Sequence, residues 1–155
     1  MAGLYIHIPF CKQACSYCDF YFSTRKQLLP AFVDALIAEI HTYHDTPFSQ
    51  ETFKTLYFGG GTPSLLTGHQ LEAIIEAVND VFATDFAEVT IEINPDNVTT
   101  EYLHTLLNLG INRVSMGVQS FNPHLLSFMH RAHSREEALH ALEAIGKTGF
   151  PSYTA

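Results

Sequence analysis

Residues 4–18 read Leu4-Tyr5-Ile6-His7-Ile8-Pro9-Phe10-Cys11-Lys12-Gln13-Ala14-Cys15-Ser16-Tyr17-Cys18. A short alternating stretch, Leu4 to Ile8, runs directly into a loop holding every cysteine of the chain. Three further strand-like segments follow it: Leu56 with Phe58, Glu88 to Ile93, and Arg113 to Val118. Their faces decide the fold. One set of alternating positions is apolar throughout: Leu4, Ile6 and Ile8; Leu56 and Phe58; Val89, Ile91 and Ile93; Val114, Met116 and Val118. The opposite set is polar or small, as in Tyr5 and His7, Thr55 and Tyr57, Thr90 and Glu92, and Ser115, Gly117 and Gln119. A doubly wound sheet, covered by helices on both sides, should be apolar on both faces. This pattern instead predicts helices on one face and a polar cavity on the other, as in a curved barrel or part-barrel with its site at the C-terminal strand ends. A Rossmann-type sheet is the alternative topology.

Helical patterns fill the intervals. The first uses Phe32, Val33, Leu36, Ile37 and Ile40, with Pro30 in the first turn. The second uses Leu71, Ile74, Ile75, Val78 and Phe82, and Thr67 with Gln70 forms a capping box ahead of it. The third uses Leu103, Leu106 and Leu107 and stops at Gly110. A fourth region breaks near Arg131 and restarts with Ser134 and Glu137 as a second capping box. It then runs through Leu139, Leu142 and Ile145 to Gly149. Strand and helix alternate about four times, which specifies βαβ units and a parallel sheet. Ser152-Tyr153-Thr154-Ala155 reads as the beginning of a fifth strand, so we expect a barrel cut off at that point.

Composition narrows the function. The 155 residues are 46% hydrophobic and 15% charged, values of a globular domain with its own core. Eight Lys and Arg against sixteen Asp and Glu give a net charge of −8 without a basic cluster. Nucleic acid and anionic membrane are thereby disfavoured as partners. No run approaches the ~20 apolar residues needed to span a bilayer, and the N-terminus lacks a signal-peptide pattern. A cytoplasmic location is the expectation.

Cys11, Cys15 and Cys18 are spaced Cys-x3-Cys-x2-Cys, an odd and tightly clustered set. Such a set makes a poor disulfide framework and a good metal site in a reducing compartment. Thiolates are the soft ligands that iron–sulfur clusters need, and three of them leave one iron of a four-iron cluster open. Structural zinc wants four protein ligands; His7 is the nearest further candidate but offers no finger-like second pair. Gly59, Gly60 and Gly61 let backbone approach a ligand closely, or simply make a tight turn. Glu92 and Gln119 end strands on the polar face. Arg131 offers a planar fork suited to a carboxylate. The pairs His41/His44 and His130/His133 have helix-face spacing, but with nine histidines in the chain we read them as surface residues.

Taken in order, these segments resemble radical S-adenosylmethionine (SAM) proteins, specifically the oxygen-independent coproporphyrinogen III oxidase group. Tyr5 to Cys11 through Cys18-Asp19-Phe20 is similar to that group's cluster loop. Phe58-Gly59-Gly60-Gly61-Thr62-Pro63-Ser64 resembles its glycine-rich SAM motif. Glu92-Ile93-Asn94-Pro95, Arg113 to Phe121, and His130-Arg131-Ala132-His133 follow in the same order. The resemblance implies a [4Fe-4S] cluster on Cys11, Cys15 and Cys18, with SAM chelating the open iron through its amino and carboxylate groups. It also implies reductive cleavage of SAM to methionine and a 5′-deoxyadenosyl radical, with electrons from a donor such as a flavodoxin or ferredoxin. SAM contacts are implied for Tyr5, Tyr17, Gly60, Gly61, Thr62, Glu92, Gln119 and Arg131. The implied fold is α/β, a partial (βα)6-type TIM-like barrel whose N-terminal part is residues 1–155. Phe10, Phe20 and Phe22 are expected to shield the cluster from water.

One position separates two branches of that group. The oxidases carry a further cysteine two residues after the third, where this chain has Phe20. The Asp19-Phe20 form and Pro63-Ser64-Leu65-Leu66 resemble the heme chaperone branch, the HemW proteins. Membership there implies heme binding in the full-length protein and transfer to an acceptor protein. The alternative implied by the wider group is oxidative decarboxylation of coproporphyrinogen III.

Overall fold

The computed structural model describes Ala2–Ala155. Five strands form one sheet in the order β1 (Ala2–Ile8), β2 (Thr52–Gly60), β3 (Ala83–Ile93), β4 (Arg113–Met116) and β5 (Ser152–Thr154). Every neighbouring pair is parallel. Strand order that follows chain order is that of a barrel wall. A Rossmann sheet would reverse direction at a switch point, and none occurs here.

Register explains the two-faced patterning. Ile6 pairs with Phe58, Phe58 with Ile91, and Ile91 with Val114. That row is buried, and the last three of its members have no exposed surface. The opposite row runs Tyr5, Tyr57, Thr90, Arg113, and beside it Glu92 pairs with Ser115. Side chains one residue apart on a strand point to opposite faces, so alternation along each strand becomes segregation across the sheet.

Five helices connect and cover the apolar side: α1 (Leu29–His41), α2 (Gly68–Val81), α3 (Thr100–Asn108), α4 (Pro123–Phe128) and α5 (Arg135–Thr148). Both expected capping boxes form. Thr67 Oγ1 accepts from Gln70 N–H at 3.3 Å while the Gln70 side chain accepts from Thr67 N–H at 3.0 Å. Ser134 and Glu137 repeat the arrangement at 3.1 and 2.6 Å. Pro30 is the second residue of α1, and Gly149, at φ 82°, ends α5 in the left-handed region. Leu71, Ile74 and Val78 of α2 and Leu103 and Leu106 of α3 are fully enclosed against the sheet.

Three expectations need correction. Strand β3 begins at Ala83 rather than Glu88, with a register irregularity between Phe53 and Thr55 absorbing its longer start. Strand β4 ends at Met116 rather than Val118. Val118 N–H turns back to the Met116 carbonyl, and Gln119 adopts φ 67°, which takes the chain out of the ladder. On α5 the buried stripe is Ala138, Ala141 and Ile145, and Leu139 is 46% exposed. The small alanines face the core there, while Leu139 lies a step off their stripe.

Candidate metal and cofactor site

At the C-terminal ends of β1 to β4 lies a cavity of about 320 Å³. Cys11, Cys15 and Cys18 all line it, each half-buried and none in a disulfide. The loop that carries them is pinned at both ends. Cys11 N–H donates to the Ser23 carbonyl at 3.0 Å and Ser23 N–H to the Pro9 carbonyl at 2.7 Å. Ser16 N–H donates to the Met129 carbonyl at 3.2 Å, its hydroxyl donates to the Phe128 carbonyl at 3.1 Å, and Gln13 donates to the His130 carbonyl. The cysteine loop is thus moored to the end of α4.

Gly61 N–H donates to the Ile8 carbonyl at 2.9 Å, which folds the glycine turn against the root of that loop. A Cβ at Gly61 would stand 2.6 Å from the Phe10 carbonyl oxygen and 2.8 Å from Cys11 Sγ, so only glycine fits. Gly60 has φ 116° and is likewise reserved for glycine. Thr62 is 2% exposed. Burial pushes the Cys11 thiol up, opposed first by the Thr62 hydroxyl; the other two cysteines push it further up and Arg131 holds it down.

Glu92 lies on the polar face with both oxygens already partnered. Tyr57 donates to Oε1 at 2.8 Å and Gly60 N–H donates to Oε2 at 3.1 Å. A carboxylate has about four lone-pair sites, so two are left for an ammonium or hydroxyl. Burial and then Glu92 push the Tyr57 phenol up to about 12. Arg131 is the most engaged side chain in the cavity. Nη1 donates to the Tyr17 hydroxyl at 3.2 Å and to Cys15 Sγ at 3.5 Å, and Nη2 donates to Asn94 Oδ1 at 3.0 Å and to the Gly117 carbonyl. Its Nε is buried without a partner.

Ten of the eleven residues singled out from the sequence therefore line one cavity; Tyr5 does not. It stands on the same sheet face, stacked on Tyr57 with ring centroids 5.8 Å apart and hydrogen-bonded to His7 Nδ1 at 3.2 Å. Phe20 and Phe22 border the cavity, whereas Phe10 is 4% exposed and packs edge-on against Phe32 in the core. Phe10 follows Pro9 at the strand exit, where its side chain faces the helix layer. Of the paired histidines, His41, His44 and His130 are exposed, but His133 is 5% exposed, with both ring nitrogens unpartnered. It stands just before the N-cap of α5, within reach of the Arg131 charge.

The sequence pattern alone gives Asn94 no role. It donates from Nδ2 to Thr62 Oγ1 at 3.1 Å and accepts from Arg131, so it joins two residues that do have one. Its position two residues past Glu92, hence on the same face, was the available signal. Lys12, which also lines the cavity, pairs with Asp96 at 2.9 Å.

The residues fit a thiolate-bound cluster with an amino-acid ligand. Three unpaired thiols face one cavity, a glycine cradle admits no Cβ beside Cys11, and Arg131 keeps a buried unpaired N–H. Among the described residues no three His, Cys, Asp or Glu side chains converge at the spacing of a single metal ion. A four-iron cluster spreads its thiolates farther apart than one ion does.

A fold of parallel strands with such a loop at the mouth of β1 defines a class. The family model of the radical SAM superfamily matches residues 5–155, and the chain belongs to that superfamily. Among curated relatives it is 38% identical over 155 residues to the heme chaperone HemW of Bacillus subtilis, covering 97% of this chain and 40% of that one. It is 37% identical over 156 residues to the heme chaperone HemW of Escherichia coli, with the same coverage. The solved structure of the coproporphyrinogen III oxidase HemN from Escherichia coli, a radical SAM enzyme, superposes with a TM-score of 0.86 at 31% identity over 97% of this chain and 35% of that one. The chain spans about 40% of the length of these curated relatives. No described helix is long and apolar enough to cross a membrane.

Proposed function

We propose that this chain is the cluster- and SAM-binding part of a heme chaperone of the HemW type. The observation that carries the reading is the composition of the cavity mouth. Three thiols line it, and Phe20, 67% exposed on its border, stands where the resemblance to the oxidases would put a further cysteine. When bound, a [4Fe-4S] cluster and SAM supply one-electron chemistry. Cys11, Cys15 and Cys18 would hold the cluster through their three thiolates. The Gly60 and Gly61 backbone and Thr62 border the methionine end. Glu92 would accept from the ammonium and Arg131 would donate to the carboxylate, with Tyr17 beside Arg131 and Gln119 lining the same cavity. Tyr5 stands outside the cavity on the same sheet face, stacked on Tyr57. Heme binds in the longer protein and passes to an acceptor protein, in the cytoplasm, with a flavodoxin or ferredoxin as electron source.

The test uses a chain spanning the length of the relatives. Heme-dependent Soret absorbance without conversion of coproporphyrinogen III supports the chaperone reading. SAM-dependent formation of protoporphyrinogen IX overturns it in favour of the oxidase, the alternative with which the HemN superposition is consistent.

A further inference from the structure

Arg131 uses its two terminal nitrogens differently. Nη2 is held by two acceptors fixed to strand ends, Asn94 Oδ1 at 3.0 Å and the Gly117 carbonyl. Nη1 has softer partners: the hydroxyl of Tyr17, itself 47% exposed, and the sulfur of Cys15 at 3.5 Å. Asn94 is in turn fixed from two other sides. Its Nδ2 donates to Thr62 Oγ1 at 3.1 Å, and its backbone N–H donates to Ser64 Oγ at 3.3 Å. Thr62 and Ser64 are 2% and 6% exposed, so both anchors are enclosed by the protein. Gly117 completes the fit, since a Cβ there would stand 3.2 Å from Arg131 Nη2 and 3.3 Å from Asn94 Oδ1. One carboxamide therefore joins the glycine turn after β2, the end of β3 and the arginine between α4 and α5.

We propose that Asn94 is a positioning residue for carboxylate recognition, fixing the Nη2 side of Arg131 so that Nη1 turns to the carboxylate of bound SAM. The neutral amide is suited to this task. It accepts from the guanidinium without neutralising it, whereas a carboxylate in its place would satisfy Arg131 internally. An arginine left on its flexible stem loses rotamer freedom when it binds a ligand, and that loss lowers affinity. Holding one edge in advance removes part of the cost. The inference rests on the SAM-binding part of the reading above.

The experiment measures SAM dissociation constants by equilibrium dialysis on anaerobically cluster-loaded protein, with iron and sulfide content and melting midpoint taken on the same samples. Asn94→Ala weakens SAM binding about tenfold at unchanged iron content. Asn94→Asp, which keeps the side-chain shape, weakens it further, because its charge pairs with Arg131 and repels the ligand carboxylate. 5′-Methylthioadenosine, which keeps the nucleoside but lacks the whole amino-acid arm, binds parent and Asn94→Ala alike. In an Arg131→Ala background Asn94→Ala adds no further loss. SAM affinity of Asn94→Ala within about twofold of the parent, or an equal loss for 5′-methylthioadenosine, overturns the inference while leaving the SAM reading intact. A parent protein that carries its cluster but binds no SAM defeats both.

Discussion

Lys12 Nζ lies 2.9 Å from Asp96 Oδ2 in an ion pair with one end in solvent and one enclosed: the lysine side chain is 46% exposed, the aspartate 1%. The pair ties the cysteine loop to the turn that follows β3. It also leaves Asp96 Oδ1 buried without a partner. Lys12→Met should therefore strand an enclosed carboxylate and lower stability by about 1–3 kcal/mol. Urea unfolding measures this, and adding Asp96→Asn to Lys12→Met should recover part of the loss. An unchanged urea midpoint for Lys12→Met would show that the pair contributes nothing.

Tyr57 and Glu92 make a second link, within the sheet. The Tyr57 phenol, pushed up to about 12 by burial and by the Glu92 carboxylate, stays protonated when an unfolded tyrosine ionises near 10. Between those values the folded state holds the extra proton, so this contribution is complete below pH 10 and fades as pH rises toward 12. Alkaline difference absorbance between the parent and Tyr57→Phe should show the missing phenolate appearing near pH 12. A missing phenolate that titrates near pH 10 would contradict the hydrogen bond.

His133 gives the opposite dependence. Burial and then the Arg131 charge hold its imidazolium form below the usual histidine range; the Val118 backbone and the carboxylates of Asp96 and Glu137 oppose the shift without reversing it. Neither ring nitrogen has a partner in hydrogen-bond geometry. The unfolded chain takes up this proton first, so stability is complete above about pH 6.5 and is lost as pH falls below it. Urea midpoints from neutral pH downward should fall more steeply for the parent than for His133→Leu. Parallel curves would mean that His133 does not titrate on unfolding.

Gly61 is the position where shape alone is decisive. A Cβ there meets the Phe10 carbonyl and Cys11 Sγ at 2.6 and 2.8 Å, both on a loop held by backbone hydrogen bonds. Gly61→Ala should lose most of its iron and sulfide on reconstitution while remaining folded by circular dichroism. Gly146→Ala, where no atom lies within 4 Å of the added Cβ, is the control and should load normally.

The strands, the helix caps and the two-faced sheet were legible in the sequence because each depends on local periodicity or on residues three or four apart. Ile6, Phe58, Ile91 and Val114 announce one face, and Thr67 with Gln70 announces a cap. Contacts between distant segments were not legible. Nothing local indicates that Asn94 reaches both Thr62 and Arg131, or that His133 is buried while His130 is exposed. The early end of β4 depends on the left-handed turn at Gln119, a residue whose type gives no warning of positive φ. Phe10 and Leu139 show the same limit: an apolar residue beside a motif declares its hydrophobicity but not the layer it enters.

We propose that Cys11, Cys15 and Cys18 hold a four-iron cluster with one iron open to SAM. Electron paramagnetic resonance of anaerobically reconstituted, dithionite-reduced protein, with and without SAM, tests it most directly. The expected result is a four-iron signal that shifts when SAM is added and disappears in a Cys11→Ser, Cys15→Ser, Cys18→Ser variant. Folded protein spanning the length of the relatives that takes up zinc in place of iron, or whose cluster signal ignores SAM, would contradict it.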